Sequence, residues 1–311
     1  MTTLFLTHLD CLLHITPAGH PEQVARLEHV QKALDAPEFN GLRREDAPDG
    51  DEAHVLLVHP PAHIERIKDA APTEGWVSLD ADTHMSVGSL NAAMRAVGAN
   101  VRAVDAVLGG EVSNAFAAMR PPGHHAEREK PMGFCLFGNV AIAAKHALDN
   151  RGARRVAIVD FDVHHGNGTQ NLLWDESRVL FASSHQMPLY PGSGAASETG
   201  AFNNVLNYPL PEGCSTNTLQ AAYNGEIFPA IEAFKPDLIL VSAGFDAHRA
   251  DPLAGLMWEA DDFRWLTHRI CDVADKVCGG RIVSTLEGGY DLDALAASVA
   301  AHVEVLMERG A

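Results

Sequence analysis

The chain has 311 residues, and its 41 Asp and Glu outnumber its 23 Lys and Arg, so the formal net charge is −18. A surface this acidic repels nucleic acid and anionic membranes, and no apolar run approaches the ~20 residues of a membrane span. The five cysteines include no Cys-x-x-Cys pair, and the N-terminus lacks the basic region of a signal peptide. These features favour a reduced, cytoplasmic setting.

Short apolar runs alternate with helical patterns along the chain. The runs predict strands at Leu4–Leu6, Val55–Val58, Ala115–Met119, Val156–Val159, Val179–Ala182, Leu238–Val241 and Ile282–Thr285. The 3.6-residue periodicity predicts helices at Glu22–Leu34, Leu90–Val107, Val140–Leu148, Thr218–Phe234, Phe263–Val277 and Leu292–Met307. Continuous apolar strands alternating with helices predict an α/β fold, in which a mostly parallel sheet is covered by helices on both faces.

Two segments have the composition of loops. Arg43–Glu52 is charged and is expected to be exposed, and His185–Gly200 is rich in Pro and Gly. Neither resembles a linker between domains, so the sequence predicts one domain over residues 1–311.

Four predicted strands are followed directly by polar motifs: RPPGHH after Met119, DFDVHHGNG after Val159, AGFDAH near Ser242 and LEGGYD near Leu286. Open α/β sheets bind ligands beyond the carboxyl ends of their strands. We therefore expect these motifs to form one site.

Asp160, Asp162 and His164 point to the same side if the chain stays extended through the second motif. Asp246 offers a further carboxylate from another strand end. Two carboxylates, one imidazole and an open position describe a catalytic metal site; oxygen and nitrogen ligands suit zinc, and also ferrous iron, manganese or cobalt. The alternative is that these residues are turn and capping residues.

The adjacent His124 and His125 follow a Pro-Pro-Gly turn that can present both rings to a cleft. Histidine titrates nearest neutrality, so either ring suits a general base, with Asp160 and Asn167 as hydrogen-bonding partners. The Tyr290 phenol, after two glycines, suits a hydrogen-bond donor to an oxyanion. The alternatives are a surface histidine pair and an ordinary half-buried tyrosine.

Taken together, these motifs resemble the histone deacetylase / acetylpolyamine amidohydrolase superfamily, which has an arginase-like α/β fold of three αβα layers. The resemblance covers most of the chain, through GHPEQVARL, DADTHMS, RPPGHHAE, GFCLFGNVAIAA, VDFDVHHGNGTQ, SSHQMPLYPGSG, SAGFDAHRADPLAG and LEGGYDLDALA. Asn167 and the LEGGY form are closer to the class II branch and to bacterial acetylpolyamine amidohydrolases.

The resemblance implies a role for each matching position. The zinc ligands would be Asp162, His164 and Asp246, and the catalytic residues His124, His125, Tyr290, Asp160 and Asn167, with His125 as the general base. The substrate-binding residues would be Asp82 at the rim and Gly133, Phe134, Tyr190 and Leu253 along a narrow tunnel. A structural potassium ion would lie near Asp160, Asp162, His164, Ser183 and Ser184. One departure is Gln23, where many relatives have arginine; this puts in doubt the role of that arginine in an inner acetate-release channel.

The resemblance implies a deacetylase acting on acetyl-lysine or acetylpolyamine-type substrates, or on other short acyl amides, with no nucleic acid or membrane partner. Asp82 and the acidic balance favour amine-bearing small molecules, and the oligomeric state stays open. One alternative is an acyl-amine binding or regulatory module without turnover. The other is an arginase-like ureohydrolase, whose extra carboxylates for a second metal are missing from DVHHG and GFDAH.

Overall fold

Eight strands form one parallel sheet at the centre of the computed structural model, which describes residues 2–310. The strands are β1 (Thr3–Thr7), β2 (Arg43–Asp46), β5 (Asn114–Ala117), β6 (Val156–Asp160), β7 (Val179–Gln186), β8 (Val205–Leu210), β9 (Leu238–Ala243) and β10 (Ile282–Leu286). Their spatial order is β2-β1-β5-β10-β9-β6-β7-β8. A separate antiparallel pair consists of β3 (Trp76–Ser78) and β4 (His84–Ser86).

Ten α-helices accompany these strands in the described residues. They are α1 (Val24–Leu34), α2 (Glu52–Val55), α3 (Pro61–Ala70), α4 (Ser89–Leu108), α5 (Asn139–Asp149), α6 (Asn167–Leu173), α7 (Thr216–Ala222), α8 (Phe228–Phe234), α9 (Ala260–Cys278) and α10 (Leu292–Gly310). Helices α1, α9 and α10 pack together as one group, and α4 packs on α5 as another. None of the helices within residues 2–310 is long and apolar enough to cross a membrane.

The central strands follow directly from the sequence. β5, β6, β9 and β10 are entirely buried, and strands buried on both faces carry continuous apolar runs. The long helices begin and end at local signals. Glu259 and Asp262 form a capping box at the start of α9, and Gly279, with a φ of 63°, ends it in the left-handed conformation. The predicted α/β fold with a mostly parallel sheet is confirmed.

The strand predicted at Val55–Val58 is wrong. Val55 is the last residue of α2, and turns follow it. The Asp51 side chain accepts the N–H of Ala53 at 2.9 Å and so starts a helical turn. An apolar run of four residues is too short for its periodicity to distinguish a strand from a helix.

The sheet edges also differ from expectation. Arg43–Glu52 was expected to be a loop, but its first four residues are β2, which pairs with β1. Charged residues are typical of an edge strand, because they oppose pairing with other chains. The segment His185–Gly200 begins with the last two residues of β7. A π-helical turn, Tyr223–Ile227, divides the helix predicted at Thr218–Phe234 into α7 and α8.

Candidate active site

The four strands that precede the polar motifs lie side by side in the sheet, in the order β5-β10-β9-β6. They run parallel, so their carboxyl ends meet at one edge. Each motif therefore contributes its side chains to the same place, as expected from the position of the motifs.

Asp162, His164 and Asp246 come together as a buried cluster, with one potential ligand atom from each lying within 4.8 Å of the others. His164 Nδ1 lies 3.1 Å from Asp162 Oδ1 and 3.1 Å from Asp246 Oδ2. Backbone N–H groups hold the opposite oxygens: Gly288 donates to Asp162 Oδ2 and Val163 to Asp246 Oδ1, each at 2.8 Å. The carboxylates are thereby aimed at a common point.

Asp160 is not part of this cluster. Strand β6 ends at Asp160, and the chain bends instead of staying extended to His164. The Asp160 carboxylate turns to His124, whose Nδ1 lies 3.1 Å from Asp160 Oδ2. Asp160 is therefore placed beside the histidine pair and not among the metal-ligand candidates.

The cluster carries two buried carboxylates, which are costly to ionise without a nearby positive charge. Burial alone would raise the pKa of Asp162, but His124 and His164 hold it well below its usual range. Burial and the neighbouring Asp162 raise the pKa of Asp246. Burial opposes protonation of His164, whereas its hydrogen bonds to both carboxylates raise its pKa to about 10. The electrostatics of this cluster thus favour a cation.

His124 and His125 have ring centroids 3.9 Å apart but opposite electrostatic environments. Burial opposes protonation of His124, yet Asp162 and Asp160 raise its pKa well above the usual value. Burial, His124 and His164 lower the pKa of His125 well below the usual value. The carboxylates beside His124 therefore favour its protonated form, and the surroundings of His125 favour its neutral form.

The tautomer of His125 follows from a chain of hydrogen bonds. Asn167 Nδ2 donates to Glu127 Oε1 at 2.8 Å, because an ionised carboxylate only accepts. Asn167 Oδ1 must then accept from His125 Nδ1 at 2.8 Å. The proton of His125 lies on Nδ1, so Nε2 carries the lone pair that can accept a proton.

A cavity of about 330 Å³ leads to these groups. All five residues predicted to bind substrate lie on its wall, together with His125, His164 and Tyr290 near its inner end: Asp82, Gly133, Phe134, Tyr190 and Leu253. His20, Pro21, Ala81 and Leu189, which the sequence analysis did not single out, complete the wall. Gly133 is required here, since a Cβ at that position would lie 2.7 Å from His125 Cγ.

Tyr290 is 9% exposed, and its ring packs edge-on against Phe134. Burial raises the pKa of Tyr290 well above the usual value, although Arg26 opposes the shift. The phenol therefore stays protonated and is a hydrogen-bond donor across the physiological pH range.

The residues predicted to lie near potassium are all buried. Asp160 ends β6, Asp162 and His164 follow it, and Ser183 and Ser184 lie within β7. Asp160 and Ser183 are register partners. The Ser183 hydroxyl contacts His185 Nδ1 at 2.9 Å, and the Ser184 hydroxyl contacts the Tyr223 hydroxyl at 2.8 Å.

Several buried charged residues around the site were missed by sequence reasoning. Glu287 Oε2 accepts the backbone N–H groups of Gly123 and His124 at 2.7 and 3.1 Å. These bonds connect the turn that carries His124 to the loop that carries Tyr290. Gln23 is exposed, while Arg26 on α1 is buried and bonded to that same loop. The sequence offers one signal for Arg26, which is a charged residue at a core-facing position of the amphipathic helix α1.

Comparisons with known proteins show the family of this chain. The family model of the histone deacetylase domain matches residues 20–306 of this chain. Histone deacetylase 10, chloroplastic, of Oryza sativa subsp. japonica is 40% identical over 302 residues, covering 91% of this chain and 68% of the relative. The histone deacetylase-like amidohydrolase of Pseudomonas aeruginosa is 39% identical over 280 residues, covering 88% of this chain and 73% of the relative.

The crystal structure of the HDA15 HD domain has the same fold, with a TM-score of 0.92 and 32% sequence identity. The match covers 99% of this chain and 90% of that one. The chain therefore belongs to the histone deacetylase family.

Proposed function

We propose that this protein is a zinc-dependent amidohydrolase, with a single catalytic domain, that removes acetyl or other short acyl groups from amines. The observation that carries the proposal is one apolar cavity lined by three groups: His164 of the two-carboxylate, one-histidine cluster, His125 of the histidine pair, and the Tyr290 phenol. Family membership supports the deacetylase chemistry.

The proposed zinc ligands are Asp162, His164 and Asp246, and the fit of these residues supports a divalent ion. Their donor atoms converge within 4.8 Å. Gly288 passes so close that a Cβ there would overlap Asp246 and lie 2.6 Å from Asp162 Oδ2. Once bound, zinc is a Lewis acid that polarises a carbonyl and lowers the pKa of water. Ferrous iron, cobalt and manganese accept the same donor set.

In this proposal His125 is the general base. Its free Nε2 accepts a proton from the attacking water, while Nδ1–H remains bonded to the neutral Asn167. An amide partner stabilises an imidazolium less than a carboxylate does, so His125 is unprotonated when substrate binds. After the attack, protonated His125 delivers the proton to the leaving amine.

Tyr290 and His124 stabilise the negative charge that develops. The Tyr290 hydroxyl donates a hydrogen bond to the oxyanion formed from the acyl carbonyl. Asp160 holds His124 Nδ1 at 3.1 Å and favours its protonated form, so His124 places positive charge beside the oxyanion. A structural potassium ion beside Asp160, Asp162, His164, Ser183 and Ser184 would hold the ends of β6 and β7 in place.

The substrate class follows from the cavity wall. Gly133, Phe134, Tyr190 and Leu253 suit an aliphatic stem, and Asp82 at the wall suits a backbone N–H or an amine. Acetyl-lysine in a peptide and an acetylpolyamine both meet these requirements.

The proposal is tested by measuring acetate release from N-acetylputrescine and from an acetyl-lysine peptide by the zinc-loaded protein. Turnover of either supports the proposal and identifies the preferred class. Tight binding of both substrates without acetate release would replace it with an acyl-amine binding role.

A further inference from the structure

The turn that carries Tyr290 has little intrinsic rigidity. It contains Gly288 and Gly289, and Gly289 has a φ of 118°, which favours glycine. Besides the substrate cavity, Tyr290 lines a second cavity of about 370 Å³, whose other lining residues include His29, Ala250 and Pro252. Polar contacts from two other segments of the chain hold this turn.

One set of contacts comes from α1. Arg26 Nε and Nη2 donate to the backbone carbonyls of Gly289 and Glu287, each at 2.6 Å. The guanidinium carbon lies 4.8 Å from the centroid of the Tyr290 ring. These contacts hold the carbonyl side of the turn.

The other contact comes from the loop after β9. Asp251 Oδ2 accepts the backbone N–H of Tyr290 at 2.7 Å, and Asp251 Oδ1 accepts the N–H of Leu253 at 2.9 Å. Pro252 between them is exposed, whereas Asp251 is 7% exposed, so the carboxylate points inward from a surface loop. One buried carboxylate thus joins the phenol-bearing turn to a wall of the substrate cavity.

We infer that Asp251 is a positioning residue that fixes Tyr290 relative to Leu253 and so holds the oxyanion donor at the end of the substrate cavity. This inference rests on the proposed function. A carboxylate fits this role because both of its oxygens must accept. The amide of asparagine has one accepting end, so it cannot satisfy both N–H groups.

The test is the Asp251→Asn substitution, alone and combined with Tyr290→Phe. Displacing a catalytic group by ~1 Å costs about 100-fold in rate, so Asp251→Asn should lower kcat by about 10- to 100-fold with little change in KM. In the Tyr290→Phe background the same substitution should have little further effect, because the hydroxyl that it misplaces is gone. An equal loss of kcat in both backgrounds would show a structural role only and overturn the inference.

Asp262→Asn is the matched control. Asp262 is also a buried aspartate that accepts a backbone N–H, that of Glu259 at 2.8 Å, but it caps α9 away from the cavity. It should lower stability and leave kcat unchanged.

A crystal structure of the Asp251→Asn variant gives a readout that does not depend on turnover. A Tyr290 hydroxyl displaced by about 1 Å or more supports the inference. An unmoved Tyr290 overturns it, even if the wild-type protein releases no acetate and the proposed function itself fails.

Discussion

His124 and His125 are neighbours in sequence, yet their surroundings drive them to opposite protonation states. Two carboxylates face His124, whereas His125 faces an amide and two other imidazoles. Glu127, forty residues before Asn167, orients that amide and so determines which nitrogen of His125 is free. The acid–base assignment therefore depends on a hydrogen-bond chain of three side chains.

Exchanging the Glu127 carboxylate and the Asn167 amide tests the assignment of His125 as the general base. In the double variant Asn167→Asp/Glu127→Gln the hydrogen bonds and net charge are kept, but a carboxylate contacts His125. A carboxylate favours imidazolium, so the pKa of His125 should rise. The base would then stay protonated up to a higher pH, and the acidic limb of the kcat/KM profile should move up by about 1 pH unit or more.

Glu127→Gln alone is the control, because it removes the distant charge and leaves the amide beside His125. Its acidic limb should lie close to that of the wild type. An acidic limb that is the same in the double variant and the control would exclude His125 as the titrating base.

Tyr290→Phe removes the proposed oxyanion donor and leaves the ring in place. Loss of one such donor costs about 100- to 1,000-fold in kcat, and KM should change little. Tyr208→Phe, at a half-buried position in β8 outside the cavity wall, is the matched control and should retain near wild-type turnover. Both variants should keep their bound metal. Unchanged turnover in Tyr290→Phe would refute the donor role.

At the scale of the elements, backbone geometry builds the site as much as side chains do. Four adjacent strand ends bring the motifs together, and close-packed glycines let them approach one another. At Gly288 the main chain donates to Asp162 Oδ2 and leaves no room for a side chain.

Gly288→Ala should therefore lower zinc affinity without unfolding the protein, because the added Cβ pushes apart the two carboxylates. Metal content after dialysis at limiting zinc measures this effect, and circular dichroism checks the fold. Gly225→Ala is the control, since a Cβ there meets nothing within 4 Å. Full zinc content in the Gly288 variant would show that the carboxylates are not fixed metal ligands.

Sequence reasoning succeeded for elements whose pattern is local. The buried central strands are continuous apolar runs, and the metal-ligand candidates lie two residues apart or within three residues of a strand end. It failed at the sheet edges, where β2 is charged and β8 contains Pro209, because an edge strand is defined by its partner. It also missed Asp251 and Glu287, since a single acidic residue is buried only through contacts with distant segments.

At the scale of the whole molecule, several buried histidines make stability depend on pH. Burial lowers the pKa of His302 to about 3, and Thr267 and Ser284 hydroxyls hydrogen-bond its two ring nitrogens. Burial likewise lowers the pKa of His59 to about 3 and that of His185 to about 4.

In the unfolded chain each of these histidines has a pKa of about 6.5 and binds a proton below that pH. In the folded protein the same rings stay unprotonated until the pH is much lower. The contribution of each such histidine to the free energy of unfolding is fully present above pH 6.5. It is lost as the pH falls towards 3, by about 1.4 kcal/mol per pH unit. His302→Gln removes one of them.

The loss of unfolding free energy between pH 7 and pH 5, measured by urea titration, should be about 2 kcal/mol smaller in His302→Gln than in the wild type. His268→Gln, at a partly exposed position on α9, should behave as the wild type. If the His302 variant loses as much unfolding free energy between pH 7 and pH 5 as the wild type, His302 is protonated in the folded protein over this range.

In the proposed function, amide hydrolysis requires a metal at Asp162, His164 and Asp246. The most direct test follows acetate release and metal content in one preparation, before chelation, after chelation and after zinc is returned. We predict that acetate release falls with metal content and returns in proportion to the zinc restored. Acetate release that continues at the original rate from the metal-free protein would show that hydrolysis needs no metal at these residues.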